Sequence, residues 1–330
     1  MTTGTTSGRN SSPVPEPSAA TSRRSARRAR RTGSGDGVAY PRWFWPSFSL
    51  PGALWLLVLF VLPFYTVISI AFGTVDPIFR SPLPVYQPWY WSTEQFGETL
   101  DKVFGIFSPV YIHTFEYVFI ASAICLVLGY AIAYYVARYG GKRKALLLVL
   151  LISPFWISYL MRMLAWINLL DNDGYINKIL SFLHFIDAPV GWLEGRPSTV
   201  ILGLVYGYIP YMILPLFGFL DRIDVSLLES GRDLGGSPVS TFFRVTLPLS
   251  KPGILAGLVI VSLPMFGDYF TNNLLSGSPR TTMIGNLIDE AYSTTGQGPE
   301  MASYVLILMA LLIIPMLYYL RSTARTAAAR

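Results

Sequence analysis

Residues 226–253 read Ser-Leu-Leu-Glu-Ser-Gly-Arg-Asp-Leu-Gly-Gly-Ser-Pro-Val-Ser-Thr-Phe-Phe-Arg-Val-Thr-Leu-Pro-Leu-Ser-Lys-Pro-Gly and separate two apolar runs of membrane length. The first part predicts a short helix, because Leu227, Gly231 and Leu234 recur at helical spacing on one face. Gly235 or Gly236 is placed to end that helix in the left-handed conformation that a side chain resists. The stretch therefore predicts a helix that stops at a glycine elbow.

A second short helix is predicted directly after the elbow. Ser237 is suited to the N-cap and Pro238 to the first helical position, where a missing N–H costs nothing. Val239, Phe242 and Phe243 would form an apolar face, and we expect Pro248 and Pro252 to end the helix. Two short amphipathic helices could dock into the groove of a partner or lie as a loop on the membrane interface.

The composition indicates an integral membrane protein. Of the 330 residues, 52% are hydrophobic and 13% are charged, whereas about a quarter of the residues in a soluble domain are charged. Cys125 is the only cysteine, so a disulfide within the chain is excluded. With two histidines, no clustered cysteines and no Gly-x-x-x-x-Gly-Lys-Ser/Thr loop, we expect neither a metal site nor ATP binding by this chain, and no enzymatic activity.

Six apolar runs predict an all-α membrane protein with six transmembrane helices, since about 20 residues suffice to span a bilayer. The third run is interrupted by Pro154 and Arg162, and polar loops are predicted at 74–110, 171–198 (with a short helix near 176–185) and 276–299. The predicted spans are 50–73, 115–137, 145–170, 199–220, 254–275 and 301–320. Residues 49–321 are thus predicted to form the transmembrane domain, followed by a short tail, 322–330.

Residues 1–48 are rich in arginine and small residues and are predicted to be a disordered tail. The arginine cluster could be a twin-arginine export signal. A retained anchor fits better, because the cluster is followed by a full-length apolar span with no small-residue cleavage site. The default interpretation of the cluster is a basic tail attracted to anionic lipid.

The basic residues also predict the orientation. Placing both termini in the cytoplasm puts nineteen Lys and Arg residues inside and five outside, with Arg162 in the membrane, as the positive-inside rule requires. The net charge of +6 is therefore a topology signal, and we expect no nucleic-acid partner. This orientation places residues 226–253 in the cytoplasm.

Three ionisable residues fall inside the predicted spans: Glu116, Arg162 and Asp268. Such residues are costly in lipid and should face the bundle interior or an aqueous path. All three lie toward the outer half, which favours an outward-opening vestibule. Arg162 could instead form a structural ion pair with Asp268 or Glu116. Acids beside aromatic residues such as Tyr269 and Trp166 would attract amines, although positive-inside topology alone explains most of the outer acids.

The cytoplasmic stretch carries a family resemblance. Glu229-Ser230-Gly231, three residues, Gly235, nine residues and Val245-Thr246-Leu247-Pro248 resemble the EAA loop of ABC-transporter permeases. Ser-Gly replaces Ala-Ala and Val replaces Ile, but both spacings match. In that family the loop docks on an ATP-binding subunit. The resemblance implies that coupling uses Glu229, Ser230, Gly231, Arg232, Asp233, Gly235, Pro238, Phe242 and Pro248.

Residues 50–320 as a whole resemble the six-span permeases of the spermidine/putrescine import family, through Pro154-Phe155-Trp156, Gly203-Leu204-Val205-Tyr206, Leu214-Pro215-Leu216 and Gly267-Asp268-Tyr269. The resemblance implies the type I importer fold, a second permease subunit, two ATP-binding subunits that hold ATP and magnesium, and an extracytoplasmic substrate-binding protein. A polyamine would pass a path formed by Asp268, Tyr269, Glu116, Arg162 and Trp166.

Other functions remain open at this point. Related permeases for iron, thiamine, phosphonates and opines share the layout, so the same machine could carry another small solute. An ATP-independent channel or secondary transporter is disfavoured, because neither needs a two-helix cytoplasmic loop. A structural scaffold would leave Asp268 unexplained.

The predicted topology can be tested by cysteine labelling in intact cells. Arg30→Cys and Gly235→Cys should react only with membrane-permeant thiol reagents, whereas Val85→Cys should react with impermeant ones, because the charge distribution places only position 85 outside. Labelling of position 235 by an impermeant reagent would contradict the orientation.

Overall fold

Helices form most of the chain that the structure, a computed structural model, describes, namely residues 44–328. Five helices in this part are long and apolar enough to cross a membrane: Ser49–Ala71, Ser108–Tyr139, Pro197–Leu220, Pro238–Phe266 and Gly298–Arg321. The pair Gly141–Trp156 and Tyr159–Phe182 is bent by 82° and makes a sixth if it is one broken span. The all-α fold with up to six spans is therefore confirmed.

The chain divides into two units, residues 1–61 and 62–330. In the first unit, helix α1 (Phe44–Leu56) is followed by a π-helical turn, Leu57–Val61. Residues 1–43 of the predicted tail lie outside the described residues. The predicted boundary at residue 48 is wrong for the last few residues, which already belong to α1, because the aromatic and apolar residues from Phe44 onward favour helix.

The second unit begins with α2 (Leu62–Ala71) and a connection that was predicted to be a loop. That prediction is wrong in detail: strand β1 (Thr74–Val75) pairs antiparallel with β2 (Pro82–Leu83), and α3 covers Glu94–Phe104. Helix α3 is amphipathic, with Thr99 and Val103 buried. Lys102 forms an ion pair of 3.0 Å with Glu300, which joins α3 to the last helix.

Helix α4 (Ser108–Tyr139) leads through a 3₁₀ turn (Gly141–Arg143) to the predicted third span, which is broken. Helix α5 (Lys144–Ile152) and a 3₁₀ turn (Ser153–Trp156) precede the break, and α6 (Tyr159–Leu170) and α7 (Tyr175–Phe182) follow it. Pro154 lies in the 3₁₀ turn, and Ile157 and Ser158 after it have extended ψ angles of 141° and 139°. Arg162 lies within α6 and does not interrupt it, contrary to the prediction.

In the second half of the chain, two further predictions are wrong. The fifth span ends at Phe266 and not near residue 275, since Pro264 and Gly267 stop the helix, and the predicted loop at 276–299 contains a helix. The elements are α8 (Pro197–Leu220), α9 (Val225–Asp233), α10 (Pro238–Thr241), a π-helical turn (Phe242–Thr246), α11 (Leu247–Phe266), α12 (Phe270–Leu275), a 3₁₀ turn (Pro279–Thr281), α13 (Ile284–Ser293) and α14 (Gly298–Ala328).

Pro248 and Pro252 do not end the second helix of the elbow, as the sequence had predicted. The helix runs without a break from Pro238 to Phe266. The reason is the π-helical turn, in which the Leu247 N–H bonds to the Phe242 carbonyl five residues back. This wider turn makes room for the ring of Pro248, which would crowd a regular helix.

Helices α4, α8 and α11 form the core through close contacts at small residues. Met212 of α8 is fully buried between glycines of the two neighbouring helices. A Cβ atom at Gly129 would lie 2.9 Å from its Cγ, and one at Gly257 would lie 2.6 Å from its Sδ. Small residues let membrane helices approach closely. Tyr130 and Ser250 add a buried hydrogen bond of 2.9 Å between α4 and α11.

The contact at Met212 yields a stability prediction. Gly257→Leu should destabilise the folded chain by about 1–3 kcal/mol, because the added side chain overpacks the core. Gly218→Leu on α8 is the matched control, since no atom lies within 4 Å of its would-be Cβ. Thermal unfolding of the purified full-length chain in detergent measures both. Equal losses in the two variants would contradict this packing.

Candidate functional site

A cavity of about 320 Å³ lies where the break after α11 faces helices α6 and α8. Its charged wall residues are Arg162 from α6 and Asp268 from the break. The others are mainly aromatic or small: Tyr159, Gly207, Tyr208, Tyr211, Pro264, Gly267, Tyr269 and Phe270. One acid and one base thus share a cavity whose other walls are mainly aromatic or small. Three of the five predicted path residues, Asp268, Arg162 and Tyr269, line it.

The break at Gly267–Tyr269 holds Asp268 in place. The backbone N–H groups of Gly267 and Asp268 bond back to the Pro264 and Met265 carbonyls at 3.2 Å each. Gly285 of α13 packs directly behind, since a Cβ there would lie 2.7 Å from the Gly267 carbonyl oxygen. The chain therefore turns here with its backbone fixed on both sides.

Asp268 is 8% exposed and is satisfied by neutral donors. Its Oδ1 accepts from the Thr271 backbone N–H (2.9 Å), and its Oδ2 accepts from the hydroxyls of Thr271 (2.7 Å), Tyr208 (3.1 Å) and Tyr159 (3.5 Å). The Tyr159 and Thr271 hydroxyls also bond to each other. These donors offset part of the cost of burying a carboxylate, but they supply no positive charge.

Arg162 does not form, among the described residues, the ion pair with Asp268 or Glu116 that the sequence left open as an alternative. Among residues 44–328, none of the ion pairs contains Arg162 or Asp268. The guanidinium instead lies 4.6 Å from the ring centroid of Phe155, and 5.4 and 5.7 Å from those of Tyr159 and Tyr206. Aromatic faces thus stabilise its charge, and its buried Nε and Nη1 have no hydrogen-bond partner within residues 44–328.

The remaining predicted path residues lie in different places. Tyr269 lines the cavity and packs on Phe270 with ring centroids 4.5 Å apart. Glu116 is more than half exposed, and its Oε2 lies 3.9 Å from the Nδ1 of His113. Trp166 packs edge-on against Tyr206 at 5.3 Å, in a small apolar cluster. Neither Glu116 nor Trp166 is among the residues that line the cavity.

Sequence reasoning missed the tyrosines and the threonine around Asp268. Two signals could have indicated them. Thr271 follows Asp268 at the three-residue spacing of a helix cap, and Tyr208 and Tyr211 lie one helical turn apart beside Gly207 in an apolar span. A glycine in a span indicates that a neighbouring residue approaches closely. Tyr159 does so at Gly207, since a Cβ atom there would lie 3.0 Å from the Tyr159 ring.

Residues 226–253 form the predicted elbow. The Asp224 side chain caps α9 by accepting from the Ser226 N–H at 3.0 Å, and this hydrogen bond lowers the pKa of Asp224. Gly235 has a φ of 84°, as predicted, and the Gly236 N–H bonds to the Gly231 carbonyl at 3.2 Å. Ser237 caps the next helix by accepting from the Ser240 N–H at 3.2 Å.

The apolar residues of the elbow are divided between a packed side and an exposed side. The residues of α9 that face the protein are Leu228, 9% exposed, and Gly231, whose would-be Cβ lies 3.3 Å from Thr241. Leu227 and Leu234, predicted to lie on one face with Gly231, are 48% and 90% exposed. Val239 and Phe243 are also exposed, while Phe242 packs on Tyr130 and Tyr134. A row of apolar side chains therefore stays uncovered beside exposed Glu229, Ser230, Arg232, Asp233, Pro238 and Pro248.

Comparison with known proteins agrees with this architecture. The chain is 34% identical over 273 residues to the spermidine/putrescine transport system permease protein PotB of Escherichia coli (strain K12), covering 82% of this chain and 94% of that protein. It is 32% identical over 272 residues to the PotB protein of Haemophilus influenzae, covering 80% and 89%. A solved bacterial alginate ABC transporter in complex with its periplasmic protein has a chain of the same fold, with a TM-score of 0.67 and 18% identity over 86% of this chain and 95% of that one.

Residues 125–327 match the family described as binding-protein-dependent transport system inner membrane component. That match includes α8, the elbow, α11 and the break at Asp268. With its apolar helices, the chain is a multi-pass protein of the bacterial cell membrane. It belongs to the family of inner membrane components of binding-protein-dependent transport systems.

Proposed function

We propose that this chain is the permease subunit of an ATP-driven importer and forms the translocation path for polyamines such as spermidine and putrescine. One observation carries the choice of solute: Asp268 is a buried carboxylate that lines an aromatic cavity and has no cationic partner among the described residues. An ammonium group would provide the missing charge. The naming of the PotB relatives supports the same solute class.

The cavity has the two features that amine binding requires. Asp268 Oδ1 accepts one recorded hydrogen bond, from Thr271, so it keeps a lone pair for an ammonium donor. The rings of Tyr208, Tyr211 and Tyr269 line the same space and would attract the cation through their faces. A passing amine would thus exchange water for a carboxylate and aromatic rings, which lowers the cost of crossing the apolar layer.

ATP hydrolysis would be supplied by partners. The uncovered apolar side chains of the elbow, Leu227, Leu234, Val239 and Phe243, are suited to docking in a groove of an ATP-binding subunit, which would hold ATP and magnesium. By analogy with the family, the complex would contain two such subunits, a second permease and an extracytoplasmic substrate-binding protein. This chain itself would catalyse no reaction.

The structure offers a direct route from the elbow to the cavity. The helix from Pro238 to Phe266 is continuous over 29 residues, which corresponds to about 43 Å at the usual rise. Its first turn belongs to the elbow and its last residue precedes Gly267 and Asp268. Closure of the ATP-binding subunits would therefore move both ends of one rigid element and turn the cavity from the inward to the outward side.

Arg162 supports a second candidate, the same machine with a solute that carries an anionic group. Arg162 lines the cavity, and two of its guanidinium nitrogens lack hydrogen-bond partners. A phosphonate or an opine could bond to this group. The aromatic rings around Arg162 weaken this alternative, because they already compensate part of its charge.

The two solute classes predict opposite rankings of two variants. For a polyamine, Asp268→Asn should reduce uptake at least tenfold, equivalent to about 1.4 kcal/mol, and Arg162→Gln should reduce it less. Radiolabelled spermidine and putrescine uptake measures the effect, with complex assembly and ATPase activity as controls. Asp173→Asn, an exposed acid away from the cavity, is the matched control. A larger loss in Arg162→Gln than in Asp268→Asn would favour an anionic solute.

The coupling role has a separate test. Gly235→Leu should strain the elbow by an amount of order 1 kcal/mol or more, because its φ is positive, and Glu229→Lys inverts a charge on the exposed face. Together they should lower co-purification of the ATP-binding subunit roughly fivefold or more, with membrane insertion unchanged. Glu94→Lys on α3 controls for charge inversion elsewhere. Wild-type uptake in the double variant would show that the elbow does not transmit the motion.

A further inference from the structure

A second polar pocket, of about 410 Å³, lies at the opposite end of the bundle from the Asp268 cavity, beside the elbow. It is formed where the end of α4 and the start of α5 meet the connection between α8 and α9. Its charged residues are Arg138, Lys144, Asp221, Arg222 and Asp224. The charge distribution of the sequence places this end in the cytoplasm.

Arg138 has hydrogen-bonding capacity that the chain does not use. Its Nη1 donates to the Ile223 carbonyl at 3.0 Å, which fixes the guanidinium against the α8–α9 connection. Its Nε and Nη2 are buried and have no hydrogen-bond partner in the described part of the chain. Buried donors of a charged group are costly to leave unpaired, so this site is suited to an acceptor from outside the chain.

The acids in the pocket are already engaged. Asp221 pairs with Lys144 at 2.5 Å, and Asp224 caps α9 through the Ser226 N–H. Since three basic residues face two acids, the pocket has one unbalanced positive charge. Arg138 and the exposed Arg222 both lack an acidic partner among the described residues, and of these two only Arg138 has buried donors without a hydrogen-bond partner there. The matching ligand carries one negative charge and two acceptor oxygens for the fork of the guanidinium.

The surroundings place the pocket at headgroup depth. Tyr135 and Tyr139, in the last turns of α4, are 60% and 70% exposed, as is typical of an interfacial aromatic belt. Leu146 and Leu150 of α5 are exposed directly beyond Lys144, so an apolar surface begins where the pocket ends. We propose that this pocket binds a singly charged phosphate ester, with Arg138 as its principal ligand, in the form of the headgroup of an anionic phospholipid of the inner leaflet.

A bound headgroup would connect the α4–α5 corner to the residues that begin the elbow. Arg138 already contacts Ile223, and Asp224 and Val225 border the pocket. Occupancy would therefore hold the first turn of α9 in its observed position. The site is distinct from the Asp268 cavity and does not depend on which solute is carried.

Native mass spectrometry of the full-length purified chain tests the proposal. Phosphatidylglycerol is added to the wild type and, in parallel arms, phosphatidylcholine or inorganic phosphate. We expect one phosphatidylglycerol to bind at least tenfold more tightly than phosphatidylcholine, and Arg138→Gln to remove this preference. Arg143→Gln is the matched control, because it removes the same charge from an exposed residue of the adjacent turn that does not line the pocket.

Further variants keep the test decisive if Arg138→Gln does not fold. Arg138→Lys retains the charge but not the fork and should weaken binding, and exposed Arg222→Gln should weaken it to a smaller extent. Competition by millimolar inorganic phosphate would assign the same site to a soluble phosphate compound. Equal binding of both lipids, or equal losses in Arg143→Gln and Arg138→Gln, would overturn the proposal. The proposal would also be overturned if Arg138→Gln changed lipid binding only when the ATP-binding subunit is present, since that subunit would then occupy the pocket.

Discussion

The hydrogen bonds to the Asp268 carboxylate are the interaction on which the rest of the structure depends. A charged group among apolar spans is tolerated only if donors surround it, and here they come from Tyr159, Tyr208 and Thr271. The arrangement requires α6, α8 and α12 to converge on one point. It also requires the break after Phe266, because a continuous helix would not present the carboxylate to the backbone N–H of Thr271.

The two helix breaks position the residues of the Asp268 cavity, and α11 joins this cavity to the elbow. The break near Pro154 turns α6 so that Tyr159 and Arg162 reach the cavity. At the end of α11 next to the elbow, the π-helical turn before Pro248 keeps the elbow and α11 in one continuous helix. In the proposed mechanism, rigid continuity along α11, with a sharp break at its end, would let a movement of the elbow change the surroundings of Asp268 without unfolding the core.

Local features could be predicted from the sequence, and tertiary ones could not. The positive φ of Gly235 and the cap at Ser237 depend only on neighbouring residues. The continuation through Pro248 was missed, since the π-helical turn that absorbs the proline leaves no simple pattern. Leu227 and Leu234 are exposed while Gly231 packs on Thr241, and the sequence could not predict this division, because helical periodicity does not distinguish a core contact from a docking surface.

The Asp268 site illustrates the same limit. The sequence shows an acid, a base and aromatic residues in the spans, but it does not show which of these side chains contact one another. Arg162 and Asp268 are far apart in the chain, and whether they bond depends on where Phe155, Tyr206 and Tyr208 place their rings and hydroxyls. The most direct measurement is a cryo-electron microscopy structure of the assembled complex with spermidine during transport. We predict density for an ammonium group within about 3–4 Å of the Asp268 carboxylate; solute density that crosses the membrane away from Asp268 would contradict its role.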